Sequence, residues 1–75
     1  MADTPSIGER LKELRLARGY SVRELASRAT VDHVTVVRVE NGHTEPQPRT
    51  LRKFAEALGV EVRFFYSEEP ITPLA

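Results

Sequence analysis

A chain of 75 residues with 11 Lys/Arg, 11 Asp/Glu, two histidines and no cysteine makes one small domain, which buries little more than half of its unfolded surface and would gain from oligomerisation. Without cysteine, disulfide staples and zinc drop out, His33 and His43 alone do not make a metal site, and a reducing compartment is expected. No apolar run approaches the ~20 residues that span a bilayer and the start lacks a signal-peptide pattern, so the expectation is a soluble, cytoplasmic domain with no membrane partner. The zero net charge hides an asymmetry, because residues 1–53 hold ten Lys/Arg against seven Asp/Glu while residues 54–75 hold one against four. A neutral total of this kind leaves room for a basic face.

In chain order, Ser6-Ile7-Gly8-Glu9 has the capping-box form, and Ile7, Leu11 and Leu14 recur at helical spacing until Gly19, which predicts a first helix over about 7–18. Ser21-Val22-Arg23-Glu24 repeats the box, with Tyr20 and Leu25 at the positions a hydrophobic staple joins; Leu25, Ala26 and Ala29 then form the inner face of a second helix, 22–29. The stretch VDHVTVVRVENG, 31–42, holds five valines in twelve positions and ends in Asn-Gly, which on propensity alone reads as a strand entering a hairpin. Its caps point the other way. Asp32 is a good N-cap, Val31 and Val36 occupy staple positions, Asn41-Gly42 serves as a left-handed stop, and the adjacent Val36 and Val37 break strict alternation. A third helix over 33–41 therefore points Val36 and Val39 inward, with His33, Val34, Val37, Arg38 and Asn41 on the opposite face.

Gln47-Pro48 starts a fourth helix, 48–58, with proline at its first position, Leu51, Phe54, Ala55 and Leu58 on one face, and Gly59-Val60 as a Schellman end. The segment 61–66 reads either as a short fifth helix burying Val62 and Phe65 or as a strand showing Val60, Val62, Phe64 and Tyr66 on one side. Residues 67–75, with Pro70, Pro73 and two adjacent glutamates, read as a flexible acidic tail beyond a domain of residues 1–66. There are no internal repeats.

The elements predict an all-α, compact four- to five-helix bundle in which helices 2 and 3 form a helix-turn-helix. Residues 7–66 resemble the phage repressor and Cro-type (XRE-family) helix-turn-helix DNA-binding domain through IGERLKELRLARGYSVRELA, VDHVTVVRVENG and PRTLRKFAEALGV. The small Ala26, the apolar Val31, Val36 and Val39, and the Glu40-Asn41-Gly42 end stand where that family's pattern puts them. The resemblance implies a lambda-repressor-like fold and a sequence-specific transcriptional regulator of double-stranded DNA, acting as a homodimer on a two-fold symmetric operator.

By the same resemblance, phosphate contacts fall on Ser21, Asn41, Thr44 and Arg49, and base reading on Asp32, His33, Val34 and Arg38. Arg38 suits a guanine, His33 a purine N7 or a phosphate, and Val34 a thymine methyl; for Val37 a chance exposed apolar residue is the plainer reading. The resemblance also pairs Arg15 with Glu40, an acid whose place in the last turn of a helix opposes the dipole and needs a cation.

Three positions depart from the pattern. Val22 replaces a phosphate-binding glutamine, Asp32 brings negative charge towards DNA and is better explained as a cap, and Thr30 stands at a turn position where glycine is usual, which predicts a distorted turn or a different helix end. Dimer contacts are expected among Leu58, Val60, Val62, Phe64, Phe65 and Tyr66, less those that the core absorbs. The alternative function is an antitoxin, or another subunit docking a toxin or regulator through the same domain. An enzyme is not expected, since there is no cysteine, no glycine-rich phosphate loop and no acid-base pair with site spacing; no cofactor or small-molecule substrate is implied.

Overall fold

The valine-rich stretch is a helix. In the computed structural model, which describes residues 6–66, the chain forms α1 (Ile7–Ala17), α2 (Val22–Ala29), α3 (His33–Glu40), α4 (Pro48–Leu58) and a terminal 3-10 turn, Val62–Tyr66. The tail expected over 67–75 lies outside the described residues. Caps outweigh propensity in α3: the Val34 N–H donates to Asp32 Oδ1 at 2.8 Å, and at the far end the His43 N–H returns to the Arg38 carbonyl at 2.9 Å. Each of the α3 valines lies only tenths of a kcal/mol below the better helix formers, a summed deficit that the N-cap of about 1 kcal/mol and the burial of Val36 and Val39, roughly 1.5–3 kcal/mol each, together exceed.

The core takes Leu11 and Leu14 from α1, Leu25, Ala26 and Ala29 from α2, Val36 and Val39 from α3, and Leu51, Phe54, Ala55 and Leu58 from α4, closed by Phe65. Among the described residues there is no strand, so the choice over 61–66 falls to the helix side. Phe65 is buried, Val60, Val62 and Phe64 pack partly against the core, and the Phe64 N–H reaches the Glu61 carbonyl at 2.9 Å. A strand would have put Phe65 on the face opposite its neighbours and left its own backbone groups without a partner.

All four helices close through a six-to-one backbone bond, from Tyr20 to Arg15, Val31 to Ala26, His43 to Arg38 and Val60 to Ala55. Three have glycine in the left-handed position; α2 has Thr30, at φ 58° and ψ 47°. The expected distortion of that turn is thus absent. The threonine accepts the conformation that glycine would take freely, a strain of roughly 1–2 kcal/mol.

The N-termini differ more than their sequences suggest. α1 has a complete capping box, Glu9 N–H to Ser6 Oγ at 3.1 Å and Ser6 N–H to the Glu9 carboxylate at 3.0 Å. At α2 only half of the expected box forms: the Glu24 N–H donates to Ser21 Oγ at 3.0 Å, but the Glu24 carboxylate turns to Arg28 at 3.1 Å. Arg28, one turn along and stacked 4.5 Å over the Tyr20 ring, outcompetes a backbone N–H for the carboxylate.

α3 lies against α2 and α1, and α2 against α4. The crossing of α1 over α3 depends on Gly8, where a Cβ would stand 2.0 Å from the Val39 carbonyl oxygen and 3.2 Å from the Glu40 Cα. Only glycine lets the two backbones approach so closely.

Candidate nucleic-acid interface

The two faces of α3 are sharply divided. Val36 and Val39 are sealed in the core, whereas Val34 and Val37 keep 43% and 39% of their surface and Arg38 is exposed. Arg38 makes no ion pair among the described residues. His33, half-buried, lies with Nδ1 3.5 Å from Asp32 Oδ1, the oxygen that also caps Val34. Of the four residues expected to read bases, Asp32 thus has its carboxylate turned to the helix start, while His33, Val34 and Arg38 remain on the outward side.

Behind this face, Arg15 and Glu40 form a bidentate pair, Nε to Oε2 at 2.7 Å and Nη2 to Oε1 at 3.1 Å, with side chains 10% and 6% exposed. The remaining Arg15 nitrogen, Nη1, donates to the Tyr20 carbonyl at 2.9 Å. The hydrogen bond to Glu40 holds the guanidinium pKa above even its ordinary high value, against the opposing effect of burial. One arginine so joins α1, the end of α3 and the loop before α2, and fixes how far α3 projects.

The four positions expected to meet phosphates are all exposed: Ser21 at the α2 N-cap, Asn41 at the α3 C-cap, Thr44 in the following loop, and Arg49 in the first turn of α4. Ser21 is also a true cap. Val22, at the glutamine position, packs partly against the core instead.

The dimer candidates separate into two groups. Leu58 and Phe65 are filled into the domain's own core and are withdrawn from any outer surface. Val62 and Phe64 are half-buried, and Tyr66 is 63% exposed. Phe64 lies beneath Arg10, whose guanidinium stands 4.4 Å from the ring centroid and donates to the Phe64 carbonyl at 3.4 Å.

Two residues that shape the site escaped the sequence reading, Gly8 and the buried Arg10. Arg10 had a signal, since it stands at the i+3 place of the stripe Ile7, Leu11, Leu14, but a charged residue there is ordinarily discounted as surface. Among the described residues no group of three or more His, Cys, Asp or Glu lies close enough to hold a metal, and no helix is long and apolar enough to cross a membrane.

Residues 11–65 match the family described as Helix-turn-helix. The chain belongs to this family, of the phage repressor and Cro type. As a helix-turn-helix domain it is 41% identical over 56 residues to the HTH-type transcriptional repressor RghR of Bacillus subtilis, covering 73% of this chain and 42% of that protein. The chain thus spans less than half of that relative's length. Among solved structures it resembles the restriction-modification controller protein C.AhdI from Aeromonas hydrophila, with TM-score 0.77, 37% identity, and 79% and 89% of the two chains covered. It also resembles the biofilm regulator SinR in complex with DNA, with TM-score 0.76, 35% identity, and 81% and 98% covered.

Proposed function

We propose that this helix-turn-helix domain binds duplex DNA as a sequence-specific transcriptional regulator in the cytoplasm, with α3 in the major groove and two copies on a two-fold symmetric operator. The observation that carries the reading is the divided α3, whose inner face is locked by Val36, Val39 and the Arg15–Glu40 pair while its outer face offers His33, Val34 and Arg38 to solvent. Family membership, the repressor role of RghR and the DNA bound to SinR support it. His33, Val34 and Arg38 face the bases, with Asp32 acting as the cap that orients them. Ser21, Asn41, Thr44 and Arg49 hold the phosphates, with the partial positive charge at the N-termini of α2 and α4 beside them.

So small a domain makes few base contacts, so pairing multiplies specificity; Val62, Phe64 and Tyr66 are the side chains available for the dimer contact. A second reading, docking of a protein partner, is favoured by one observation, the similarity to SinR as captured with SinI at TM-score 0.78 and 35% identity.

Selection of bound sites from random duplexes, repeated with Arg38→Ala, tests the main reading. The parent should enrich a symmetric sequence with half-sites about one helical turn apart, ~34–36 Å, and the variant should lose preference at one position in each half-site. Failure to enrich any sequence would remove the regulator reading; uniform weakening would move Arg38 to a phosphate.

A further inference from the structure

We propose that Asp32 and His33 act as one proton-linked pair: when α3 docks on DNA, His33 takes a proton from solvent at Nε2 while the Asp32 carboxylate holds the Nδ1 side, so that affinity rises as pH falls. The inference rests on the DNA-binding reading above and assigns a regulation to the same face. Asp32 is a positioning residue in it, acting through His33.

A negative charge at the start of a DNA-facing helix has to be accounted for. Capping explains a polar side chain there, since the Val34 N–H donates to Asp32 Oδ1 at 2.8 Å. Capping does not explain the charge, because serine and asparagine cap about as well without bringing an anion towards phosphates. The next residue supplies the reason. The same Oδ1 lies 3.5 Å from His33 Nδ1, and the two side chains keep 68% and 42% of their surface, Asp32 the larger share. Because the Val34 N–H fixes the carboxylate, the imidazole meets an anion already in place. With Nδ1 turned to Asp32, Nε2 on the far side of the ring is left for the duplex.

The other charges around α3 are engaged elsewhere or lie along the helix. From α2, Arg28 is held by Glu24 and stacked on Tyr20; from α1, Arg15 is held by Glu40 in the last turn of α3. Arg38, on the same helix, is five residues on, about 7.5 Å along the axis. Asp32 is the acid that His33 meets among the described residues. The carboxylate favours an imidazolium, and the partial positive charge at the α3 N-terminus opposes it. Docking adds phosphates on the open side, and an Nε2–H can donate to DNA where a neutral ring with its proton on Nδ1 cannot. DNA therefore favours the protonated pair. With the ring neutral, the pair presents the Asp32 charge alone and repels the duplex; with the ring protonated, that charge is cancelled. Histidine is the side chain whose ordinary charge change falls between about pH 5 and pH 8.

The test titrates the whole chain onto the operator found by selection, at constant ionic strength, from about pH 8 to pH 6. Parental affinity should rise about tenfold over that range, the result of an average uptake of roughly half a proton per complex. His33→Gln keeps a polar side chain that does not titrate and should flatten the profile, whereas His43→Gln, at the other histidine, should preserve it. Asp32→Asn keeps a cap acceptor and removes the carboxylate. It should bind more tightly than the parent at pH 8, about equally at pH 6, and so with a shallower slope; a purely structural loss would weaken binding at every pH and leave the slope unchanged. Parental affinity that does not vary with pH overturns the inference while leaving DNA binding intact, as does a profile that survives His33→Gln or keeps its full slope in Asp32→Asn. Absence of binding to any duplex at any pH overturns both this inference and the reading beneath it.

Discussion

Val36 and Val37 are neighbours in sequence and opposites in circumstance, one with none of its surface exposed and the other with 39%. On the inner side of α3, each contact is answered by another element: Gly8 of α1 under the Val39 carbonyl, Arg15 on Glu40, Leu25 and Ala26 of α2 in the shared core. On the outer side Val34 and Val37 stay exposed and outside the hydrophobic core, and Arg38 makes no ion pair among the described residues. The same residue type thus does two jobs, and helical phase assigns them. A buried valine contributes roughly 1.5–3 kcal/mol relative to an exposed one, so the outer valines forgo stabilisation that the inner pair provides.

Breaking the inner side should have the largest consequence. Arg15→Ala leaves the Glu40 carboxylate buried without its cation and should cost about 3–5 kcal/mol, seen in calorimetry as a fall in Tm of well over 10 °C. Replacing both partners, Arg15→Met with Glu40→Leu, should recover most of that loss, because no charge then remains unpaired. A Tm unchanged by Arg15→Ala would mean the pair does not hold α3 in place. Next in size, Val36→Ala should lower stability by about 2 kcal/mol through lost burial and an unfilled cavity, while Val37→Ala should stay within ~0.5 kcal/mol. Equal effects in urea unfolding would erase the distinction between the faces.

A smaller effect is expected at the turn that delivers α3. Thr30 occupies left-handed backbone that costs a β-branched residue roughly 1–2 kcal/mol, so Thr30→Gly should raise stability by about 1 kcal/mol once the greater chain entropy of glycine is deducted. A loss of stability instead would show that the threonine side chain contributes more than its backbone strain. The position also marks the limit of sequence reading. A departure from glycine was visible at Thr30, but whether the turn or the residue would yield depended on the Val31 to Ala26 bond and on packing of the flanking helices. The four helices were legible because caps, left-handed stops and helical spacing agreed within each segment. The 3-10 turn was not, since five residues supply too little periodicity to separate helix from strand. In the site, the outward set on α3 followed from phase alone. The half-formed box at Ser21 did not follow, because Arg28 competes for Glu24 from a turn away, nor did Gly8, whose meaning lies in a helix thirty residues further on.

The least of the expected effects concerns pH and reaches the inner side of α3 from a distance. Glu9 caps the first turn of α1, the turn in which Gly8 carries the Val39 carbonyl and the Glu40 backbone. The Ser6 backbone N–H, and secondarily its hydroxyl, hold the Glu9 carboxyl below the ordinary glutamate pKa in the folded chain. A group depressed on folding binds its proton more readily when unfolded. Its contribution is therefore complete at neutral pH and is lost as pH falls from the usual glutamate range through the lower folded value. Glu9→Gln keeps an acceptor for the Ser6 N–H, since the capping box takes either residue, but removes the titration. Urea unfolding between about pH 6 and pH 3 should show a slightly shallower acid decline for the variant than for the parent, with near-equal stability at neutral pH. Parallel declines would mean that this turn of α1 is frayed in solution and that Gly8 is held against α3 by the Arg15–Glu40 pair rather than by its own cap.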